Sequence, residues 1–154
     1  MTEGPNIKFN PLRITVGLLV ISYIVGEFFI PKYPLLYSIK LIGILGLIIS
    51  GGFFIAGFNI FKSYEEDPFP SSDTDVLIKT GIFAYIRNPI YFSFILFHLS
   101  MFLVFENVMY FISSISLSLW LHHWVVKAEE NYLQSKFNSE YEQYSKSVKR
   151  WLFI

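Results

Sequence analysis

Two long apolar runs near the start of the chain constrain its fold more than any other feature. Residues 12–30 and 35–61 are almost free of charge, and residues 90–105 and 108–126 repeat the pattern further along. A transmembrane helix needs about 20 apolar residues, a length that each run reaches or approaches. Only 16% of the 154 residues are charged, against about 25% in an average soluble domain. We therefore expect a single-domain, all-α integral membrane protein.

The predicted architecture has four transmembrane helices, at residues 12–30, 35–61, 90–105 and 108–126, followed by an amphipathic C-terminal helix at residues 127–149. Four spans place both termini on the same side of the membrane. That side carries Lys8, Arg13, Lys62, Lys79, Arg87 and every basic residue from Lys127 onward. Only Lys32 and Lys40 fall on the other side. The positive-inside rule therefore predicts a multi-pass protein with cytoplasmic termini.

Within the first two spans, the polar and small residues leave alternatives open. Gly43, Gly46, Ser50 and Gly57 share one face of the second span, where small residues allow another helix to approach closely. The same face would alternatively leave room for a lipid-like substrate or a cofactor. Glu27 lies near the end of the first span, so it is either a carboxylate at the headgroup level or a functional intramembrane acid.

Between the second and third spans, residues 62–80 form a long polar connection that is typical of a solvated loop. Residues 80–91 follow, with the sequence Thr-Gly-Ile-Phe-Ala-Tyr-Ile-Arg-Asn-Pro-Ile-Tyr. We expect Asn88 to cap the third helix with its side chain and Pro89 to occupy the first helical position. Free amides beside Arg87 would then form a site for an anion, predicted on the cytoplasmic side.

A second polar cluster follows the fourth span. Glu129 and Glu130 stand where that span leaves the membrane. An apolar stripe then follows at helical spacing, comprising Leu133, Phe137, Tyr141, Tyr144 and Val148. One interpretation is an interfacial helix. The other is that a carboxylate turns back toward Arg87 and Tyr91 and closes a polar pocket.

Several classes of site are not expected. The chain has no cysteine, and no dense basic block indicates a nucleic-acid partner. His98 shares a helix face with Tyr91 and is a candidate pocket residue. His122 and His123 are adjacent, a spacing that does not favour chelation of one metal from a regular helix, so no metal site is predicted. We likewise find no glycine-rich nucleotide-binding turn.

In this order and spacing, the two clusters resemble signatures of the isoprenylcysteine carboxyl methyltransferase family and its phospholipid methyltransferase relatives. The first signature has a small residue and glycine, an aromatic residue, and then Arg-His/Asn-Pro-x-Tyr. The second begins Glu-Glu-x-x-Leu-x-x-x-Phe-Gly and continues through two tyrosines to Val-x-Arg. Here the second signature corresponds to Glu129 through Phe137 and to Arg150 near the end of the chain. The similarity covers residues 76–151.

The resemblance implies a membrane methyltransferase that uses S-adenosylmethionine, releases S-adenosylhomocysteine, and takes a lipophilic small molecule or lipid as methyl acceptor. It also implies a set of cofactor-binding residues, namely Leu77, Ile78, Phe83, Asn88, Pro89, Ile90, Tyr91 and Glu129. Arg87 and Glu130 are the candidate catalytic residues, and Arg150 matches a signature position.

Departures from the family pattern keep the acceptor open. Val125 stands where the isoprenylcysteine enzymes have an arginine, so an isoprenylcysteine substrate is not favoured. Asn138 replaces the glycine that follows Phe137. Two alternatives also stay open, an NADPH-dependent reductase related to sterol reductases and a non-catalytic membrane protein of the same fold. The sequence does not indicate an oligomeric state.

Overall fold

The computed structural model describes residues 4–5 and 7–152. Every regular secondary-structure element in this part of the chain is a helix. The elements in order are α1 (Pro11–Phe28), α2 (Tyr37–Ser63), a 3-10 turn (Gly81–Ala84), α3 (Pro89–Phe105), α4 (Val108–Trp120), a π-helical turn (Leu121–Val126) and α5 (Lys127–Ser147). Helices α1 and α2 are long and apolar enough to cross a membrane, whereas α3 is apolar but shorter. The all-α prediction is therefore confirmed for the described residues, and two of the helices are candidate membrane spans.

The first, second, third and fifth predicted helices correspond to observed ones, with ends displaced by up to two residues. The fourth predicted span differs most. Its regular α-helix ends at Trp120, and residues 121–126 form the wider π-helical turn before α5 continues in the same direction. Such turns contain one residue more than an α-helical turn and are frequent at functional sites. The π turn therefore determines the rotation at which α5 leaves α4.

The small-residue face of α2 packs against α3. Its buried residues are Gly43, Gly46, Ser50 and Gly57, and a methyl group added at Gly43 would lie 2.8 Å from Leu103 Cβ. The Ser50 hydroxyl donates to the Ser93 carbonyl at 2.9 Å. The predicted close helix contact is therefore confirmed, and α2 and α3 form the largest helix interface in the described residues.

Asn107 lies in the turn between α3 and α4, at the end of the bundle away from the first residues of α3 and α5. It links this turn to α1. Its buried side chain donates to the Ser22 carbonyl at 3.2 Å and accepts from the Met109 amide at 3.0 Å. Glu27 lies at the same end and pairs with Lys32 at 2.9 Å. This pairing places Glu27 at the end of α1 rather than in its interior.

The second half of α5 folds over the segment that precedes α3. Tyr141 and Tyr144 are buried together with Leu77, and the predicted apolar stripe of α5 packs around them. The Tyr144 hydroxyl donates to the Phe83 carbonyl at 2.7 Å. The helix is interrupted at Asn138, whose φ of 46° and ψ of −116° depart from helical values. These contacts bring both polar clusters of the sequence to one end of the bundle.

Candidate functional site

A cavity lies at that end, between the start of α3, the first half of α5 and the long loop (residues 64–80). It encloses about 930 Å³ of empty space, a figure that includes the solvent at its open mouth. Its walls include all ten residues that the sequence nominated, namely Leu77, Ile78, Phe83, Arg87, Asn88, Pro89, Ile90, Tyr91, Glu129 and Glu130. The structure thus brings together residues more than 50 positions apart in the chain.

The start of α3 differs in one respect from the prediction. Pro89 occupies the first helical position, but the Asn88 side chain makes no capping hydrogen bond. Its Nδ2 instead donates to the Arg150 carbonyl at 3.2 Å. The predicted side-chain cap is therefore wrong: the hydrogen bond from Nδ2 to a distant backbone carbonyl orients the side chain, and Oδ1 accepts no amide of the first helical turn. Amides at positions 90 and 91 still have no acceptor within the helix, as in any first helical turn.

Glu129 faces Tyr91 across the cavity. The Tyr91 hydroxyl donates to Glu129 Oε1 at 2.8 Å, and the Tyr91 side chain is itself buried. The pKa of Glu129 is raised to about 8, mainly by burial within the protein; the Tyr91 hydrogen bond opposes the shift, and the neighbouring Glu130 adds to it. A carboxyl group of this kind readily gives up its proton when a cation binds beside it.

Glu130 turns toward two arginines. Its carboxylate forms an ion pair with Arg87, with Oε1 3.0 Å from Nη1, and accepts from the Nε and Nη2 atoms of Arg150 at 2.9 and 2.5 Å. Arg87 Nη1 also donates to the Tyr141 hydroxyl at 3.1 Å. Arg87 Nε is buried and has no hydrogen-bond partner among the described groups. Both carboxylates therefore turn back toward the start of α3, as the pocket interpretation of the sequence predicts.

The long loop covers the cavity, which the sequence did not reveal. It contributes residues 67–70, 72, 74 and 76 to the walls. It is held in place by Glu66, whose carboxylate accepts from the Asp75 and Val76 amides at 2.9 and 3.1 Å. Asp73 pairs with Lys136 and accepts from the Tyr132 hydroxyl on α5. Most residues of the loop are exposed, Phe69 among them, so the prediction of a solvated loop holds. The structure adds that this loop also lines the cavity.

Other cavity residues missed by the sequence lie on α5, where Tyr132, Leu133, Tyr141 and Tyr144 line the wall. The histidines lie outside the cavity. His98 is fully buried and contacts the Phe94 carbonyl through Nδ1 at 2.9 Å. His123 is exposed and contacts the Leu119 carbonyl. The prediction that His98 lines the pocket is therefore wrong, because it lies two helical turns below Tyr91.

The cavity combines a wall that carries carboxyl groups with an apolar one. Glu129, Glu130 and Asp67 supply carboxylates, whereas Arg87 is the one basic side chain among its described walls and is paired with Glu130. Leu77, Ile78 and Phe83 supply an apolar surface for a planar group. Aromatic and carboxylate groups together favour a cationic ligand. No group of acidic and histidine side chains in the described ranges is arranged to hold a metal ion.

Comparison with known proteins agrees with this geometry. Residues 39–140 match the family model described as phospholipid methyltransferase. The chain belongs to the phospholipid methyltransferase family. The matched range includes Arg87, Tyr91, Glu129 and Glu130.

Among curated proteins, the chain is similar to the protein-S-isoprenylcysteine O-methyltransferase of Schizosaccharomyces pombe, with 37% identity over 76 residues. The match covers 47% of this chain but only 31% of the yeast protein. No solved structure matches the chain. Membership of the family thus indicates methyl transfer. It does not identify the methyl donor, the acceptor or the role of any single residue.

Proposed function

We propose that this protein transfers a methyl group from S-adenosylmethionine to a lipophilic acceptor and that the cavity holds the cofactor. The observation that supports this most directly is the pairing of Glu129 with Tyr91 in a cavity built from both family signatures. S-adenosylmethionine carries an ammonium, a sulfonium and a carboxylate besides its adenosine. The cavity offers a partner for each of these groups.

The residues present fit the cofactor on chemical grounds. Glu129 and the Tyr91 ring would face the cationic groups. The free amides of Ile90 and Tyr91, together with the unpartnered Nε of Arg87, are donors for the carboxylate. Leu77, Ile78 and Phe83 would contact the adenine ring, while Asn88 and Pro89 shape the same wall.

The bound cofactor would supply a methyl carbon already activated by the positive sulfur. The protein then mainly orients the reactants and excludes water. The long loop covers the cavity from one side, and the fixed Arg87–Glu130 pair lies at its inner wall. For a carboxylate or phenolate acceptor no base is required. For an amine, Glu129 and Glu130 are the carboxylates in the cavity that could accept the proton.

We also propose that the protein spans the bilayer four times, with the cavity and both termini on the cytoplasmic side. The distribution of basic residues supports this orientation. The acceptor would reach the cavity from the lipid phase. An isoprenylcysteine acceptor is not favoured, because Val125 is fully buried and supplies no cation for a substrate carboxylate.

Titration of the purified protein in detergent with S-adenosylhomocysteine, and separately with NADPH, tests the proposal. We expect saturable binding of S-adenosylhomocysteine alone. Binding of NADPH alone would favour a reductase, and binding of neither would favour a non-catalytic protein; both results contradict the proposal. Incubation with methyl-labelled S-adenosylmethionine and fractionated membrane lipids would then identify the acceptor.

A further inference from the structure

The residues that follow α5 lie against the segment that leads into α3. In the C-terminal segment (residues 148–152), the Lys149 carbonyl accepts from the Arg87 amide at 2.9 Å. Ile86 and Lys149 form a parallel bridge. The Arg150 carbonyl accepts from the Asn88 side chain at 3.2 Å. The backbone of this segment therefore lies directly against the first signature.

The Arg150 side chain leaves this backbone and reaches the first turn of α5. Its guanidinium donates from two nitrogens to the two oxygens of Glu130, at 2.9 and 2.5 Å. Paired hydrogen bonds of this kind fix direction as well as distance. Arg150 does not line the cavity, whereas Glu130 and Arg87 do. Arg150 can therefore influence the cavity only through the residues that it holds.

The two neighbouring carboxylates are consequently in unequal situations. Both oxygens of Glu130 are occupied, by Arg150 and by Arg87. Glu129 accepts one hydrogen bond, from Tyr91, and has no ion-pair partner in the described residues. Two carboxylates in one cavity compete for protons and for cations unless their environments differ. The arginines create that difference.

We infer that Arg150 is a positioning residue, which holds the ionised Glu130 against Arg87 so that Glu129 alone responds to the cationic group of the ligand. This inference rests on the proposed function for the identity of the ligand. The arrangement of Arg150, Glu130 and Arg87 itself does not depend on it.

The test compares Arg150→Gln, Arg150→Lys and the control Lys146→Gln by titration with S-adenosylhomocysteine at several pH values. Lys146 is exposed and pairs only with Glu142 on the surface of α5, so its variant loses the same charge away from the cavity. We expect Arg150→Gln to bind about tenfold more weakly, since two charge-assisted hydrogen bonds are lost. Its pH profile should also differ from that of the wild type, because Glu130, held by Arg87 alone, is then free to compete with Glu129 for the cationic group.

Arg150→Lys keeps the charge but not the paired geometry, so we expect weaker binding with the single-step pH profile of the wild type. The Lys146→Gln control should match the wild type in both respects. Wild-type affinity in Arg150→Gln would overturn the inference. So would a lower melting temperature accompanied by an unchanged single-step profile, because that result indicates a merely structural role.

A second measurement needs no ligand and therefore separates this inference from the proposed function. Arg150→Gln should lower the melting temperature, because it breaks the ion pair with Glu130. In a Glu130→Gln background the same substitution should lower it less, since the ion pair is already absent. An equal loss in both backgrounds would overturn the inference even if the wild type binds no S-adenosylhomocysteine.

Discussion

Glu129 and Glu130 are adjacent in the chain and yet face different partners. Successive residues of a helix point about 100° apart, so one carboxylate reaches Tyr91 on α3 while the other reaches Arg87 just before it. The Glu129 carboxyl group lies beside a neutral hydroxyl, and the Glu130 carboxylate lies beside two guanidinium groups. The same functional group is thereby given two roles by its surroundings.

The raised pKa of Glu129 predicts that ligand binding depends on pH. Below about pH 8 the free protein holds a proton on this carboxyl group, and the ammonium of S-adenosylhomocysteine binds best to the ionised form. Affinity should therefore rise with pH and level off above about 8, changing by up to about tenfold per pH unit below that value. Calorimetric titration across this range measures the effect directly.

Glu129→Gln provides the matched variant, because it keeps a hydrogen-bonding oxygen for Tyr91 but cannot ionise. We expect it to bind at least about tenfold more weakly above pH 8 and to show no pH dependence. Glu142→Gln, an exposed change on the same helix, should behave as the wild type. Equal affinity of Glu129→Gln and the wild type at high pH would contradict the assigned role of Glu129.

At the scale of single elements, α5 carries a local strain that a substitution should relieve. Asn138 is exposed and adopts φ 46° and ψ −116°, a region that glycine enters far more easily than other residues. Its side chain makes no recorded hydrogen bond, whereas its carbonyl accepts from Gln134. We expect Asn138→Gly to raise the free energy of unfolding by about 1 kcal/mol, as measured by thermal or denaturant unfolding in detergent.

Ser139, the next residue along the chain, supplies a control in which glycine should change the free energy of unfolding in the opposite direction. Ser139 is exposed and helical, so Ser139→Gly should lower the free energy of unfolding by about 0.5 kcal/mol. If both glycine substitutions destabilise the protein alike, the interruption at Asn138 is not a site of strain.

The interface between α2 and α3 gives a second prediction at this scale. At Gly43 an added methyl group would lie within 3.1 Å of Leu103, Val104 and the Ser100 carbonyl. At Gly51 it would meet no atom within 4 Å. Gly43→Ala should therefore lower the melting temperature and Gly51→Ala should leave it equal or higher, because alanine favours the helix. Equal effects at the two sites would exclude the close contact.

These elements show which parts of the structure the sequence could predict. The helices and the small-residue face of α2 follow from local composition and spacing. The capping role assigned to Asn88 failed because the Arg150 carbonyl that orients its side chain lies 62 residues away, beyond any local pattern. The π turn was also missed, since an apolar run such as residues 121–126 fits an α-helix equally well.

The candidate site likewise has one part that the sequence could predict and one part that it could not. Its ten nominated residues lie together because signature motifs mark positions whose spacing in the chain reflects contact in the fold. The part that the loop plays at the cavity was missed because its polar composition indicates only exposure to solvent, whereas its position depends on partners that α5 provides.

In the whole molecule, the two signatures meet because α3 and α4 form an antiparallel pair. The chain enters this pair at Pro89, reverses at Glu106 and Asn107, and returns to the starting level at Lys127. Glu106 stabilises the reversal by accepting from the Leu35 amide at 2.6 Å and pairing with Lys40 at 3.0 Å. Polar groups are thus concentrated at the two ends of an otherwise apolar bundle, as expected for a protein that crosses a bilayer.

The proposed orientation predicts which end is accessible from outside the cell. The chain contains no cysteine, so a single introduced cysteine reports its own position. Tyr33→Cys lies in the exposed turn between α1 and α2, and Ser71→Cys lies in the exposed loop over the cavity. In intact cells a membrane-impermeant thiol reagent should label Tyr33→Cys and not Ser71→Cys.

After permeabilisation both variants should react, which shows that Ser71→Cys is protected by the membrane and not by the fold. The reverse pattern would invert the topology and place the cavity outside the cytoplasm. Because S-adenosylmethionine is made inside cells, that result would also remove the proposed cofactor from reach of the site. Labelling of both variants in intact cells would instead contradict the placement of the two loops on opposite sides of the bilayer.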